Sequence, residues 1–575
     1  MKNHQIAGIF NDIADLLEIK GDNPFRIRAY RRAAQGIEGL ADDISAMTDE
    51  MLVGLPGIGK DLAGKIHEFL ITGKVTAYEK LKEEIPESLI TLLSVPGVGP
   101  KTARHLHDSL KVRNIADLER LAKGHKLSGL PGIKAKTEEN ILKGIEMLRR
   151  GRERQPLGRV LPIANEIARQ LEKASPARKI SLAGSIRRWK DTIRDIDILA
   201  TSVESLKVMK VFVNLPVVHE VLMHGLAKSS IVTTEGIQVD LRVVEEESYG
   251  AALVYFTGSK AHNIRLREMA LRAGMKINEY GIFRESDNKR LGGRDEEDVY
   301  KLLGLPYIEP ELREDTGEIE AAIEGNLPEL IGLKDIRGDL HVHSRMSDGS
   351  NTIEELATAA EKRGYSYIAI TDHTEGLGIA GGLSAGKVLE EAEEIKSINR
   401  GLSGFRLLSG AEVNIKSDNT LDMPDEVLKK LDIVVASIHS GFRQDREKLT
   451  NRFISAIRNP YVSVIAHLTG RLLGERDAYD IDIEKVFEML RKTGKALELN
   501  AYPLRLDINE TYAKKAKEMG IPVVISTDAH STGHFDYMLY GVATGRRGWL
   551  GAADVRNTLN TPDLLKWLKS LRSVM

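Results

Sequence analysis

The sequence contains no cysteine in its 575 residues. Disulfide bonds and thiolate metal sites are therefore excluded, and any metal ion must be held by His, Asp or Glu side chains. No segment approaches the about 20 consecutive apolar residues that cross a bilayer, and the start, Met1 to His4, lacks the apolar region of a signal peptide. We expect a cytoplasmic protein without a membrane partner.

A strong net charge is also missing, since the formal net charge is −2 with 42% hydrophobic and 29% charged residues. This composition is ordinary for a soluble globular protein. The length predicts several domains, because single hydrophobic cores stop growing at roughly 250–300 residues. Because a sum over the whole chain hides local asymmetry, contacts with nucleic acid have to be argued from where the basic residues lie.

Two aspartates in the middle of the chain, Asp195 and Asp197, alternate with isoleucines. The alternation predicts a strand with both carboxylates on one face. Adjacent acids repel unless divalent cations neutralise them, and oxygen ligands suit Mg²⁺ or Mn²⁺. An isolated pair of this kind is more often solvated or salt-bridged. Here Gly184 and Ser185 precede it as a turn suited to a phosphate, and Asp240 lies in a second alternating segment, which favours a metal site.

The stretch from Gly184 to Asp197, together with Asp240, resembles the palm of the family X DNA polymerases, the group that includes DNA polymerase beta. The resemblance continues through residues 255–259 (YFTGS) and 277–280 (INEY). It implies nucleotidyl transfer by three catalytic carboxylates that bind Mg²⁺ or Mn²⁺, those of Asp195, Asp197 and Asp240.

The same resemblance assigns residues around the palm to the incoming nucleotide. The turn would bind phosphate with added charge from Arg187 or Arg188, of which Arg188 matches the family motif. An aromatic pair would line the sugar pocket, a following glycine would exclude a ribose 2′-hydroxyl, and Arg267, one helical turn after Asn263, would reach the template strand. The full set assigned to nucleotide binding is Gly184, Ser185, Arg188, Arg154, Tyr255, Phe256, Gly258, Asn263 and Arg267.

Three segments near these residues have more than one interpretation. The apolar run Leu253 to Phe256 predicts a short strand, while Lys260 and His262 depart from the polymerase beta pattern and could face solvent. Arg154 would touch the triphosphate or belong to a solvated basic connector. The acid-rich stretch between residues 309 and 324 predicts a solvated linker or a short surface helix.

Glycine hairpins recur in the first 150 residues: LPGIG at 55–59, VPGVG at 95–99 and, without its second glycine, LPGIK at 130–134. Glycine permits positive φ and close approach of a phosphate, and the helix start that follows offers free N–H groups. The hairpins resemble helix-hairpin-helix modules, which bind DNA backbones without reading sequence. The glycines expected to bind DNA are Gly57, Gly59, Gly97 and Gly99.

A basic segment precedes the first hairpin, because residues 25–37 contain four arginines around one tyrosine. This pattern suits a phosphate backbone or a solvated helix face. Residues 24–70 resemble the small lyase domain of DNA polymerase beta, in which Lys65 would form a Schiff base with an abasic sugar. Asp61 departs from that pattern, so phosphate binding without lyase chemistry is the alternative. The residues expected to hold a 5′-phosphate are Arg26, Tyr30 and Lys60.

Beyond residue 337, apolar strand-like segments alternate with helical ones, and several strands end in potential metal ligands. This repetition predicts a β/α barrel with a metal site at the C-terminal ends of its strands. A lone histidine is usually a surface or satisfied core residue, but here His341 and His343 share one strand face and further ligands follow. The nine candidate ligands are His341, His343, Asp348, His373, Glu412, His439, His467, Asp528 and His530.

This set resembles the polymerase-and-histidinol-phosphatase (PHP) domain, a deformed seven-stranded barrel that holds three metals. The resemblance implies one metal on His341, His343, Glu412 and Asp528, a second on Glu412, His439 and His467, and a third on Asp348, His373 and His530. Mixed imidazole and carboxylate ligands suit two or three Zn²⁺, Mn²⁺ or Fe²⁺ ions. Such ions would activate a water for phosphodiester cleavage.

Together these features predict a multidomain family X DNA polymerase that fills short gaps in DNA repair by two-metal nucleotidyl transfer. The expected architecture is an α-helical helix-hairpin-helix region, an α+β nucleotidyltransferase palm and a C-terminal α/β barrel acting as a 3′–5′ exonuclease and an abasic-site endonuclease. The expected partners are gapped or nicked double-stranded DNA and deoxynucleoside triphosphates, bound by a monomer. The expected domains are residues 1–85 (lyase-like), 86–150 (duplex-clamping), 151–245 (palm), 246–312 (nucleotide-selecting), 313–336 (linker) and 337–575 (PHP).

Three other functions compete with this prediction. The polymerase could be vestigial and the protein a nuclease delivered by its hairpins, which the intact acids at 195, 197 and 240 oppose. A small-molecule phosphatase with a nucleotidyltransferase domain would not need the hairpins, and a non-enzymatic DNA scaffold would need neither set of metal ligands.

Overall fold

The computed structural model describes residues 2–38, 44–55, 57–84, 92, 95, 98, 100–127, 137–138, 141–142, 145, 154–377 and 380–572. The chain divides into two compact units. The first is Met1–Arg154 with Val217–Val221 and Ile231–Gln238, and the second is Gln155–Pro216 with Leu222–Ser230 and Val239–Met575. Within the described ranges, no helix combines the length and the apolarity needed to cross a membrane.

Residues 1–154 of the first unit are helical where they are described. Apolar residues recur at helical spacing and form one core, as on the helix Pro24–Glu38, whose Tyr30, Ala33, Ala34 and Ile37 are buried. Side-chain caps begin two of the helices, from Thr48 and Asn114. The helices are Lys2–Lys20, Pro24–Glu38, Asp49–Gly54, Lys60–Thr72, Thr76–Glu84, Pro100–Leu110 and Ile115–Lys123.

The palm is built on a five-stranded sheet whose strands are β2 (Lys179–Leu182), β4 (Asp195–Thr201), β5 (Val218–His224), β6 (Lys228–Thr233) and β7 (Gln238–Val244). Their order across the sheet is β2-β4-β7-β6-β5. The antiparallel strands β1 (Gln155–Pro156) and β3 (Thr192–Ile193) pair beside it. Because β4 lies between β2 and β7, its alternate side chains are buried and its aspartates share the other face. The palm helices are Leu157–Ala174, Gly184–Arg187 and Ser205–Val213.

The predicted strand at Leu253 to Phe256 is wrong, because these residues belong to the helix Tyr249–Thr257. The helix is apolar and buried around most of its circumference, so neither a two-residue nor a 3.6-residue period marks it in the sequence. The elements that follow are the helices Lys260–Arg272 and Glu296–Leu302 and the antiparallel strands β8 (Met275–Asn278), β9 (Gly281–Arg284) and β10 (Arg290–Gly292).

The acid-rich stretch is not the predicted solvated linker, because several of its acids are buried in ion pairs. Glu318 is 0% exposed and Glu311 8% exposed. Although burial alone would raise it, the cations of Lys190, Arg188 and Arg547 lower the pKa of Glu314 to about 2. The alternative, a short surface helix, holds for the outer face of the helix Glu318–Glu324. Sequence patterns missed the burial because the compensating cations lie far away along the chain.

The predicted seven-stranded barrel is confirmed. Its strands are parallel and neighbours in chain order: β11 (Gly338–Val342), β12 (Tyr367–Ile370), β13 (Arg406–Asn414), β14 (Ile433–Ser437), β15 (Val464–Ile465), β16 (Ala496–Asn500) and β17 (Val523–Ser526). A parallel bridge between Val342 and Ala529 joins the first strand to the end of the last. The alternating helices are Ile353–Lys362, Ala385–Asn399, Asp425–Leu428, Arg446–Arg458, Ile483–Thr493, Glu510–Glu518, Met538–Arg547 and Thr561–Leu571.

Candidate active sites

The three palm aspartates converge on one site. Asp195 and Asp197 leave the same face of β4, and Asp240 lies on the neighbouring strand β7. Burial, with the negative charges of Asp195 and Asp240, raises the pKa of Asp197 to about 7. Asp195 and Asp240 therefore lie near enough to Asp197 for their charges to act on it, and the shared metal site stays a prediction.

The Gly184-Ser185 segment packs directly against Asp197. It forms a single helical turn, Gly184–Arg187, rather than a simple loop turn. Gly184 has φ +61°, and a Cβ at this position would lie 2.3 Å from Asp197 Oδ2. Any side chain here would therefore be strained and would displace the Asp197 carboxylate.

Cations partly compensate the palm acids. Lys228 Nζ lies 2.7 Å from Asp240 Oδ2, and an Arg194 guanidinium nitrogen lies 3.6 Å from Asp195 Oδ2. The raised pKa of Asp197 shows that this compensation is incomplete. A set of carboxylate oxygens with unbalanced negative charge fits Mg²⁺ or Mn²⁺.

The two arginines after the turn have different partners. Arg187 makes a bidentate pair with Glu296, at 2.6 and 2.8 Å. Arg188 donates to Glu314 at 3.0 Å and to the Thr257 carbonyl. Arg187 is thus held in a structural ion pair, and Arg188 is held at the end of the helix that carries Tyr255 and Phe256.

Two of the residues predicted to contact nucleotide and template lie along one helix face. Asn263 Nδ2 donates to the Tyr255 carbonyl at 2.7 Å, and Arg267 Nε donates to the Asn263 carbonyl at 3.1 Å. The predicted common face of Asn263 and Arg267 is thereby confirmed. Phe256 packs under Arg242, with 4.3 Å between guanidinium carbon and ring centre, while Arg154 is exposed and its role stays a prediction.

His262 does not face solvent as the sequence allowed. It is 0% exposed, and its ring nitrogens lie 2.7 Å from Glu318 and 3.1 Å from the Tyr300 hydroxyl. Its partners lie 38 and 56 residues away, which explains why the local sequence did not show the burial. Lys260 is exposed.

The lyase-like region shows a mixed outcome. Lys65 Nζ lies 2.5 Å from Asp61 Oδ2, and its side chain is only 15% exposed. Tyr30 is not on the basic face as predicted, because its ring is 2% exposed and packs edge-on against Phe10 at 5.5 Å. Tyr30 shares the helical spacing of the buried alanines that follow it, and this spacing outweighs the arginines beside it.

The first glycine hairpin has the predicted geometry. Gly57 has φ +83°, and Gly59 is the N-terminal cap residue of the helix Lys60–Thr72. The free N–H groups at that helix start are therefore available to an anion. Arg26 is exposed, with one nitrogen 3.1 Å from Asp22. Gly97, Gly99 and the third hairpin lie outside the described residues.

The C-terminal candidates meet at one end of the barrel. Glu412 lies in β13, and His341 in β11, while His439, His467 and Asp528 follow the ends of β14, β15 and β17. Parallel strands in register bring these ends together. The predicted gathering of the nine residues at this end is therefore present in the structure.

Glu412 is the centre of this cluster. One of its oxygens lies 2.8 Å from His373 Nδ1, 3.4 Å from His341 and 3.7 Å from His343, and the other lies 3.0 Å from His467 and 3.2 Å from His439. Asp528 lies 3.2 Å from His343, and Asp348 lies 3.4 Å from His530 and 3.5 Å from His373. His343 also lies 3.9 Å from Asp348, so the predicted groups overlap more than the sequence suggested.

Several imidazole nitrogens in the cluster are buried and unsatisfied. Within the described part of the chain, His341 Nε2, both nitrogens of His343 and His373 Nδ1 meet no hydrogen-bond partner of suitable geometry. Burial lowers the pKa of His343 to about 4, although the nearby Asp528 favours the charged form. Buried imidazoles that face carboxylates without hydrogen-bonding to them are suited to binding a metal.

Sequence analysis missed one acid of this site, Glu498. It lies in β16, is 0% exposed, and contacts His341 Nδ1 at 2.7 Å while accepting from the His467 backbone N–H at 2.8 Å. A carboxylate behind a ligand histidine fixes its orientation and raises its basicity. The alternating segment 496–500 (ALELN) places an acid within an otherwise apolar strand, a signal that could have revealed Glu498.

Family models match four segments of the chain. A model described as a helix-hairpin-helix domain matches residues 1–75, and a SAM-like helix-hairpin-helix tandem matches residues 89–146. DNA polymerase beta thumb matches residues 252–314, and the PHP domain matches residues 339–502.

Similar curated proteins include enzymes of two kinds. The DNA polymerase/3′-5′ exonuclease PolX of Bacillus subtilis (strain 168) is 40% identical over 571 residues, 99% of this chain and 100% of that protein. A probable phosphatase of Caldanaerobacter subterraneus subsp. tengcongensis is 35% identical over 212 residues, 34% of this chain and 79% of that protein. DNA polymerase lambda of Rattus norvegicus is 25% identical over 333 residues, 52% of this chain and 54% of that protein.

Proposed function

The chain belongs to the bacterial family X DNA polymerases that carry a C-terminal PHP domain, and we propose that it fills short gaps during DNA repair by two-metal nucleotidyl transfer. It is a DNA-directed DNA polymerase with a 3′–5′ exonuclease. The observation that supports the finer proposal is the presence of two separate clusters suited to cations. One is the trio of palm aspartates, and the other is the histidine cluster around Glu412.

In the palm, Asp195, Asp197 and Asp240 would hold two Mg²⁺ or Mn²⁺ ions, which would lower the pKa of the primer 3′-hydroxyl and neutralise the triphosphate. The protein's own contribution is placement. Gly184 leaves room for the carboxylate of Asp197, and Arg188 adds positive charge beside the helix end at Thr257. The exposed Tyr255 and its neighbour would offer a surface to the sugar of the incoming nucleotide.

At the barrel end, the nine candidate ligands would hold two or three Zn²⁺, Mn²⁺ or Fe²⁺ ions, which would activate water against a phosphodiester. Glu498 keeps the His341 ring oriented, and burial keeps His343 neutral. The same cluster would serve the proposed cleavage at abasic sites, because that reaction also breaks a phosphodiester.

DNA contact would come from the first 150 residues, and we retain the domain bounds proposed from the sequence. Residues 313–336 are no longer described as a linker, because Glu318 is buried and Glu314 is ion-paired there. Gly57, Gly59, Lys60 and Arg26 lie at or near a helix start and a basic face, which suits phosphate binding. The deoxynucleoside triphosphates and the gapped duplex are the proposed substrates of a monomer.

The gap-filling proposal is tested with a labelled primer on gapped duplex DNA. With Mn²⁺ and all four deoxynucleoside triphosphates, we expect extension that stops near the end of the gap. Without nucleotides, the same primer should be shortened from its 3′ end. Extension that is no better on a gapped duplex than on an open template would contradict the gap-filling proposal.

Lys65 carries a separate prediction about abasic sites. Only an uncharged amine attacks a sugar aldehyde. The ion pair with Asp61 keeps the Lys65 amine charged, which favours contact with a phosphate. This pair would have to open before Lys65 could form a Schiff base. We expect borohydride to trap the wild-type protein on an incised abasic duplex. Lys65→Arg should lose at least about 90% of this trapping while keeping its affinity for the duplex, because the positive charge remains.

The matched control for this prediction is Lys60→Arg, which also preserves charge in the same helix and should trap normally. Undiminished trapping by Lys65→Arg would assign the Schiff base to another amine. Loss of duplex affinity together with trapping in Lys65→Arg would instead indicate damage to the local structure, because the positive charge is retained.

A further inference from the structure

A row of aromatic side chains runs between the histidine cluster and the palm. His534 stacks on Tyr537 with ring centres 4.7 Å apart, and Tyr537 meets Tyr502 at 5.7 Å and Tyr540 at 6.4 Å. Tyr540 in turn meets Trp189 edge-on at 6.0 Å. We call these five residues the aromatic row.

One end of the row lies beside the barrel cluster, and the other end lies on the segment that follows the Gly184-Ser185 turn of the palm. At one end, the His534 ring lies 6.5 Å from that of His530, a candidate metal ligand. At the other end, Trp189 follows Ser185 of the palm by four positions. The row therefore connects the surface beside the barrel cluster to the segment that follows the phosphate-binding turn.

The members of the row are not ordinary core residues. Phe535 and Met538, on the same segment, are each 1% exposed and point into the core. His534, Tyr537 and Tyr540 on the same segment are each partly exposed. Single rings of this kind are ordinary at a surface, but here the partly exposed rings follow one another in contact.

A cation lies beside the row at the barrel cluster. Arg505 belongs to the same loop as Tyr502, its side chain is 19% exposed, and its Nε lies 3.8 Å from Asp528 Oδ2. Partly exposed rings in succession with a nearby guanidinium are the combination that binds single-stranded nucleic acid, because bases stack on the rings and phosphates meet the cation.

We propose that the aromatic row is a binding track for single-stranded DNA, which leads an unpaired 3′ end to the histidine cluster. The proposal rests on the exonuclease function proposed above and adds how its substrate is held. Stacking on Tyr537 and His534 would hold bases of the unpaired strand, while Arg505 would hold a phosphate close to Asp528.

The test compares two substrates of the full-length protein, single-stranded oligothymidylate and bis(p-nitrophenyl) phosphate, a diester without a base. Tyr537→Ala should raise the KM for oligothymidylate by at least about fivefold, the effect of removing one base-stacking ring. Its kcat for the oligonucleotide and both constants for the small diester should stay unchanged. Tyr537→Phe, which keeps the ring, should behave as the wild type.

The matched control is Tyr461→Ala, because Tyr461 is a partly exposed tyrosine that precedes β15, at the opposite end of the barrel strands. An unchanged oligothymidylate KM in Tyr537→Ala would overturn the track, as would an equal loss on both substrates, since that points to damage to the cluster. If the wild type hydrolyses neither substrate, the exonuclease function itself fails, which is a distinguishable result.

Tryptophan fluorescence gives a second measurement that does not depend on catalysis. The chain has three tryptophans, Trp189, Trp549 and Trp567, and none lies in residues 1–150. Base stacking on the row should quench Trp189 when oligothymidylate is added, and Trp189→Phe should remove this quenching. Equal quenching in the wild type and in Trp189→Phe would contradict the palm end of the track.

Discussion

Asp197→Ala is expected to abolish primer extension on a gapped duplex and to leave 3′-end shortening unchanged. Burial and the carboxylates of Asp195 and Asp240 raise the pKa of Asp197, so it lies within the charge field of both other palm acids. Loss of a central ligand removes several kcal/mol of transition-state stabilisation, which corresponds to roughly a thousandfold or more in rate. Extension and shortening are measured on the same labelled primer, with and without nucleotides.

Two further variants separate charge from packing in the palm. Asp197→Asn preserves the size of the side chain and should lose extension as Asp197→Ala does, because a neutral amide cannot balance a cation. Glu204→Ala removes an exposed acid just beyond the end of β4 and should extend normally. Extension by Asp197→Asn within about tenfold of the wild type would remove the carboxylate from the proposed chemistry.

The palm trio was predictable because strand alternation is a local signal. Asp195, Asp197 and Asp240 each sit in a segment whose two-residue period assigns them a face, and pairing of β4 with β7 then brings the faces together. This convergence also opposes the rival view that the polymerase is vestigial, because carboxylates brought together repel one another unless a cation or a proton offsets their charge.

The failures of prediction share a physical cause. The helix Tyr249–Thr257 is apolar on nearly every side, so it has no period to detect. The side chains of His262 and Glu318 are both polar, but each is the hydrogen-bond partner of the other although they lie 56 residues apart in the sequence. Burial of paired polar groups depends on tertiary contacts, and no local pattern reports it.

The barrel cluster was predictable only in part. Strand ends followed by His or Asp marked its ligands one by one, but their mutual distances depend on all seven strands being in order. Glu498 was not predicted because it lies within β16, where it contacts the Nδ1 side of the His341 ring, and not at the end of that strand. The sequence therefore indicated the ligands, and only the fold showed what orients them.

His341→Ala is expected to give the opposite result to Asp197→Ala, with shortening lost by roughly a thousandfold or more and extension retained. His341 Nε2 lies 3.4 Å from Glu412 and 3.8 Å from Asp528, so its removal opens the cluster. Its loss also leaves the Glu498 oxygen that faces it buried without that partner, which by itself lowers stability. Retained extension serves as the measure that the chain is still folded.

A second variant at the rim of the same cluster separates lost ligation from lost packing. Asp348 is 32% exposed and contacts His530 and His373 at 3.4 and 3.5 Å, so Asp348→Asn should reduce shortening without unfolding the barrel. The zinc and iron content of the purified variants, measured by atomic emission, should fall in both His341→Ala and Asp348→Asn but not in Asp197→Ala, because the palm carboxylates would hold Mg²⁺ or Mn²⁺ instead. If either barrel variant lost extension and shortening equally while remaining folded, the two clusters would not be independent centres, because separate sites must respond to their own ligands alone.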